Sequence, residues 1–348
     1  MQYEECRETY IKIATLYYLA GTSQDEIAEL FHISRFKVSR ILKKCRTLRI
    51  IEFHINNCPD YYEKLEEQIK DLLSIEQVMI VPSGNSLQES KENVAKMAAN
   101  YLDEQMRDGF KIGLSWGSTI QLTLKYYHPS TLMQHARFVQ LSGNVCSSAI
   151  SQDGYMDGNI FVQKFAAKAQ AGWSVFQVPY VVQNTALKEL LYQEPQIKRH
   201  ISLFNQLDMA LIGVGSFDPK RSVTYLSGYL TLEEAKKLVD DGVGADICGT
   251  RLTPDGQIRE TILTNRVITI DLKELHKVSE ICAVGAGSEK AHSLIAGCKG
   301  GFIKKVIIDE VCALTIQSRL EDSELIPAEG ISPALGKELV PGYPLASG

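Results

Sequence analysis

The sequence predicts an α/β protein in two parts, an N-terminal winged helix-turn-helix domain and a C-terminal Rossmann-like, largely parallel α/β domain with a ligand pocket. Three observations predict it. Residues 23–55, SQDEIAELFHISRFKVSRILKKCRTLRIIEFHI, have the spacing of a tight helix pair followed by a β-wing. From Gln77 onward, short apolar runs alternate with helix-spaced segments, the pattern of a parallel sheet covered on both faces. Several of those runs end in loops of glycine and hydroxyl residues, at the strand ends where open parallel sheets bind ligands.

Arg7 to Ala20 reads as a first helix, with Tyr10, Ile13, Ala14, Tyr17 and Tyr18 on one side. Ser23 with Glu26 three residues later is a capping box that starts a short helix, whose apolar face is Ile27, Ala28 and Leu30. A turn follows through Phe31 to Ile33. Ser34 then caps a second helix whose stripe Val38, Ile41, Leu42, Cys45 and Leu48 steps by three and four. Its other face carries Arg35, Lys37, Arg40, Lys43, Lys44, Arg46 and Arg49 with no acidic residue among them. A solvated helix face could look the same, but this one begins at the cap of the second helix of a tight pair, where such proteins place their base-reading side chains. Arg35, Phe36, Lys37, Ser39 and Arg40 are therefore expected at base edges. Lys43, Lys44 and Arg46 are expected at phosphates, with Gln24 a further backbone contact.

Net charge supports a local role for that face. Residues 1–55 hold nine basic and seven acidic residues, so the remainder carries −7 of the chain's −5. Only the N-terminal part suits a polyanion such as operator DNA. The 348 residues leave room for one further sizeable domain. Cysteines at 6, 45, 58, 146, 248, 282, 298 and 312 include no C-x-x-C pair, so no metal site and no disulfide framework is expected. No secretory leader and no run of about 18 apolar residues is evident, so the chain reads as cytoplasmic, without a membrane partner.

Asn56 to Asp60 breaks the pattern, and Tyr61 to Leu73 resumes helical spacing as a linker helix that either pairs with its own copy or docks on its own domain. The expected strands are 78–81, 110–116, 137–142, 175–179, 209–215, 245–248, 267–271, 281–285 and 306–310. Helices are expected at Glu89 to Met106, Leu187 to Tyr192, Leu232 to Asp241 and Glu289 to Cys298. The domain limits expected are 1–57 for DNA binding, 58–75 for the linker helix, 76–320 for effector binding and oligomerisation, and 321–348 for a tail. Four loops leave strands in one topological position: Ser115-Trp116-Gly117-Ser118-Thr119, Leu141-Ser142-Gly143-Asn144, Gly213-Val214-Gly215-Ser216 and Gly285-Ala286-Gly287-Ser288-Glu289-Lys290. Amides and hydroxyls at the start of a helix, joined by one lysine, surround a phosphate. Neither GVGSFD nor GAGSEK completes G-x-G-x-x-G, and GxxxxGK[ST] is absent, which disfavours nicotinamide dinucleotides and ATP.

SRFKVSRILKK followed by GLSWGST, QLSGN, ALIGVGS, GADICGTRLTPDG and AVGAGSEKAHSLIAGCKGGFIKKVIIDEVCA resembles the SorC family of bacterial sugar-responsive transcription regulators, over about residues 7–317. The resemblance implies a fold similar to glucosamine-6-phosphate deaminase and ribose-5-phosphate isomerase outside the DNA-binding part. It implies Ser115, Gly117, Ser118, Thr119, Gly287, Ser288 and Lys290 as phosphate contacts, and Gly143, Gly215 and Asp246 as pocket contacts. Some relatives carry a lysine in the loop matching LSGN, where an aldehyde could form a Schiff base. Ser142 stands there in this chain, so reversible binding is expected.

The sequence thus predicts a regulator whose operator affinity is set by a sugar or sugar phosphate through the arrangement of a dimer or tetramer. The competing reading is a sugar-phosphate isomerase or deaminase with an accessory DNA-binding module. Catalysis needs a placed base and a second proton carrier, and the loops offer Glu289 and Asp246 apart, with no histidine. No catalytic residue and no cofactor is therefore assigned.

Overall fold

The computed structural model describes residues 2–48, 50–51, 60–145, 158–215, 220 and 222–324. Helices α1 (Gln2–Tyr18), α2 (Gln24–Leu30) and α3 (Arg35–Thr47) form the N-terminal unit. Ser23 Oγ accepts from the Glu26 amide at 3.3 Å while Glu26 returns a carboxylate to the Ser23 amide at 2.9 Å, the expected capping box. Ser34 Oγ likewise accepts from the Lys37 amide at 3.3 Å. Ile13, Ile27, Val38 and Cys45 are fully buried where the three helices meet. Leu30 and Leu48, expected in that core, are 63% and 39% exposed instead. Both lie at helix ends, beyond the reach of the packing stripe. The wing strand expected at 50–55 runs into residues 52–55, outside the described residues, as do Arg49, the break at 56–59 and the tail beyond 324.

Helix α4 (Tyr61–Leu73) has its apolar side in the core of the large domain. Leu65, Ile69 and Leu73 are buried there, each contributing about 1.5–3 kcal/mol. Its first turn is fastened by both tyrosines: Tyr61 Oη donates to Glu310 Oε1 at 2.8 Å and Tyr62 Oη to Glu310 Oε2 at 3.2 Å. Farther along, Glu66 accepts from the Ile80 amide at 2.7 Å.

Along the chain then come β1 (Gln77–Val81), α5 (Leu87–Gln105), β2 (Lys111–Leu114), α6 (Ser118–Tyr126), β3 (Arg137–Gln140), α7 (Gly158–Ala169), β4 (Gly172–Ser174), α8 (Thr185–Gln193), α9 (Pro195–Ile201) and β5 (Met209–Gly213). After these follow α10 (Val223–Leu226), α11 (Leu232–Asp240), β6 (Ala245–Ile247), β7 (Thr250–Leu252), α12 (Leu272–Lys277), β8 (Glu280–Gly285), α13 (Ala291–Lys299), β9 (Lys305–Asp309) and α14 (Glu310–Glu324). Seven strands pair in parallel in the order β1-β9-β8-β5-β2-β3-β4. Alternate residues of β5 enter opposite cores. Met209 and Leu211 pack with α5, α6 and α7, and Ala210 and Ile212 pack with α4, α13 and α14. Burial on both faces is why these strands read as apolar runs.

Two expected strands are corrected. The runs at 175–179 and 267–271 do not join the sheet, although Phe176, Val178, Ile268 and Ile270 are buried. Single bridges hold them instead: Asn144 with Pro179, Val181 with Val267, and Ser142 with Thr269. The run at 245–248 supplies β6, which pairs with β7 in a separate antiparallel hairpin. Cys248 and Gly249 turn that hairpin at φ of 47° and 84°, the positive values that a two-residue turn matching strand twist needs. Among the described residues, no helix is long and apolar enough to cross a membrane.

Candidate functional site

On α3, the buried stripe Val38, Ile41, Leu42 and Cys45 turns the opposite face outward. Arg35, Phe36, Lys37, Arg40, Lys43 and Lys44 are exposed, Phe36 to 88%, and Ser39 and Gln24 are half-buried. The Ser34 cap sets where the helix starts, so Arg35 to Arg40 occupy its first two turns. Arg35 Nε lies 3.7 Å from Asp25 Oδ1, with both side chains in water. Such an exposed pair contributes little and is easily given up to another anion.

The second site lies at the sheet's switch point. From β2 the chain moves outward to β3 and β4, then returns to the other side of β2 with β5 and continues to β8 and β9. The loops leaving β2 and β5 therefore diverge and open a crevice at the carboxyl ends of the strands. A cavity of about 510 Å³ occupies it. Ser115 closes its base by accepting the Gly213 amide at 2.8 Å, which ties the ends of β2 and β5 together.

Gly117 precedes α6 at φ +152°, a value L side chains rarely adopt, and the helix has no side-chain cap. The amides of its first turn are thus without a side-chain acceptor, as the first amides of a helix are unless capped. Lys290 reaches in from the far wall and donates to the Val214 carbonyl at 3.0 Å. Burial holds its ammonium below the ordinary lysine range, opposed by Glu289 and reinforced by the like charge of Lys91. An anion in the cavity would compensate that charge.

Asp246 also lines the cavity, but its carboxylate is already engaged. One oxygen meets buried Arg251 at 2.5 Å and the other accepts the Gly249 amide at 2.8 Å. Gly215 is needed beside it, because a Cβ there would stand 2.6 Å from Asp246 Cβ. Ser142 faces the cavity and shares a 2.7 Å hydrogen bond with Thr269.

Of the residues expected from sequence, Ser115, Gly117, Ser118, Thr119, Gly215, Asp246 and Lys290 share this wall. Gly143, Gly287 and Ser288 do not. A Cβ on Gly143 would meet the Pro179 carbonyl oxygen at 2.6 Å, so this glycine admits a neighbouring chain segment. Gly287 turns at φ +89°, and its amide is held by Asp309 Oδ1 at 2.7 Å. Asp309 Oδ2 in turn accepts from Ser83 Oγ at 2.7 Å, so one buried carboxylate joins the loops after β1 and β8. Sequence reasoning missed Lys91, Trp116, Tyr180 and the partner of Asp246, Arg251. The rings of Trp116 and Tyr180 meet edge to face at 4.9 Å on the cavity wall. Trp116 sits inside the quoted loop and Arg251 inside GADICGTRLTPDG, whereas no local pattern marks Lys91 or Tyr180.

Residues 61–317 match the family described as "Putative sugar-binding domain". The chain is 25% identical over 317 residues to the Deoxyribonucleoside regulator of Bacillus subtilis (strain 168), covering 91% of this chain and 99% of that protein. It is 24% identical over 306 residues to the Sorbitol operon regulator of Klebsiella pneumoniae, covering 87% and 95%. The crystal structure of the full-length sorbitol operon regulator SorC from Klebsiella pneumoniae superposes with a TM-score of 0.68 at 24% identity, over 88% of this chain and 97% of that one.

Proposed function

Because the chain belongs to the SorC family of sugar-responsive transcriptional regulators, we propose that α3 reads its operator and that the switch-point cavity takes the effector as a sugar phosphate. It is a DNA-binding regulator rather than an isomerase or deaminase. Its relatives are transcriptional regulators by name, and the carboxylate best placed to act as a base, Asp246, is held by Arg251 and Gly249.

For the operator, Arg35, Phe36, Lys37, Ser39 and Arg40 read base edges, and Gln24, Lys43 and Lys44 fix the helix on phosphates. For the effector, one observation carries the reading. Lys290 is a half-buried lysine whose ammonium has a carbonyl as its polar partner, and it lines the same cavity as the uncapped start of α6. Ser118, Thr119 and the amides of that turn complete a cradle for the phosphate.

Two half-sites require at least a dimer. The effector shifts the oligomer between DNA-competent and DNA-incompetent arrangements by its differential affinity, about 1–3 kcal/mol. We place the DNA-binding domain at 1–57 and the effector-binding domain at 76–320, with the helix at 58–75 packed onto the latter, and the protein in the cytoplasm.

Calorimetry with phosphorylated pentoses and hexoses tests the pocket. Lys290→Ala should raise the dissociation constant about ten- to a hundredfold, as loss of a charge-assisted contact does, with operator binding in the absence of effector unchanged. Equal affinity in wild type and variant would move the site elsewhere. Binding of unphosphorylated sugars alone would end the phosphate reading.

A further inference from the structure

A second cavity, of about 440 Å³, opens on the other side of the β6–β7 hairpin. Gly249 lines both cavities, and Arg251 and Thr269 of this one hold Asp246 and Ser142 of the first; the rest of its lining comes from α8, the end of α9 and the turn after it, Thr250, residues 258–270 and the start of α12. Its volume lies within the roughly 300–1,000 Å³ of small-molecule sites.

Its charges are balanced, two cations (Lys188 and Arg251) against two carboxylates (Asp271 and Glu274). Lys188 and Asp271 both line it, and the Lys188 ammonium lies 5.6 Å from the centre of the Tyr192 ring. Glu274 is paired with Lys277 at 2.8 Å, and Arg251 is neutralised by Asp246. The lining therefore carries no excess of positive charge to select a phosphate.

Hydrogen-bonding capacity is nevertheless high. The second carboxylate oxygen of Glu274 is enclosed without a partner, and buried acceptors of that kind normally have one. Asn265 adds donors and an acceptor at the rim, while the rings of Tyr192 and Phe204 supply flat apolar wall. Acceptors, donors and ring faces around a neutral space suit a molecule with hydroxyls on a carbon skeleton. We propose that this cavity is a second small-molecule site and that it takes an uncharged polyol, a free sugar or sugar alcohol. The site stands apart from the phosphate pocket, so the two readings fail separately.

Titration calorimetry on the full chain, with glucose, mannose, galactose and glucitol in turn, tests it. At least one should bind saturably to wild type and equally to Lys290→Ala. The same probe should lose about tenfold or more in affinity with Asp271→Asn and with Lys188→Ala. Asparagine preserves the cap that Asp271 gives to the Lys273 amide at 2.8 Å, so its loss reports the ligand and not the helix. Unchanged thermal midpoints and operator binding confirm that both variants fold. Three results would overturn the proposal. No probe saturates; or binding disappears in Lys290→Ala and survives in Asp271→Asn, which puts the polyol in the phosphate pocket; or Tyr192→Leu changes the sedimenting mass but not polyol affinity, which gives this face to a second copy of the chain.

Discussion

Arg35, Lys37 and Arg40 stand in water on α3, whereas Lys290 is enclosed by the strand ends of the large domain. The first group keeps its hydration until a partner arrives, and what that partner gains is largely released counterions, so binding is strong at low salt and weak at high salt. Lys290 is half-buried and has given up part of its hydration already. Its affinity for an anion is less screened by salt and depends instead on whether the amine carries a proton. If α3 takes DNA and the cavity takes a phosphate, an extended polyanion and a small one are met by the same charge in different surroundings.

The comparison breaks most visibly at the ion pairs. Asp246→Ala would leave Arg251 buried without its carboxylate and should cost about 3–5 kcal/mol of stability in urea unfolding. Removing Asp25, the exposed partner of Arg35, should cost no more than about 1 kcal/mol. Similar losses at the two sites would mean that the contrast in burial has no energetic content. On DNA, Arg40→Ala should weaken specific operator binding by about 1–3 kcal/mol if it reads a base. Lys43→Ala should act on all sequences alike and lower the salt slope by about one. If Arg35→Ala, Lys37→Ala and Arg40→Ala all bind as wild type does, α3 does not lie in the groove.

The smallest effect is one of pH. Folding lowers the affinity of Lys290 for its proton, so between its depressed value and the ordinary lysine value the unfolded chain binds more protons. Stability of the effector-free protein should therefore rise with pH across that window relative to Lys290→Met, whose unfolding lacks the contribution. Parallel unfolding curves from about pH 7 to about pH 10 check the sign. A constant difference would show that Lys290 is as well solvated as the cations of α3.

Much of this was legible locally. The capping residues Ser23, Glu26 and Ser34 and the buried stripe of α3 obey rules that span four residues, and the structure places them accordingly. Most sheet strands were visible because burial on both faces leaves apolar runs. The runs at 175–179 and 267–271 carry the same signal, since a segment packed over a sheet is as buried as a strand within it. Partner choice is a tertiary property. The glycines show the same limit: Gly143 and Gly117 both sit in small polar loops, yet one makes room for the 178–179 backbone and the other sets the turn into α6. Arg251, distant from Lys290 in sequence, enters only when the β6–β7 hairpin folds over the strand ends.

Asp309 holds the Gly287 loop, and the next residue, Glu310, holds Tyr61 and Tyr62 at the head of α4. Two neighbours on one backbone share the peptide that joins them. A rotation of the peptide between them that follows the loop carrying Lys290 would also displace the carboxylate that both tyrosines grip, unless the side-chain torsions absorb it. The end of β9 thus joins, through two adjacent carboxylates, the loop that carries Lys290 and the head of α4. Tyr61→Phe with Tyr62→Phe would cut only the link to α4, and operator affinity should then respond less to effector while effector affinity in the absence of DNA stays as it was.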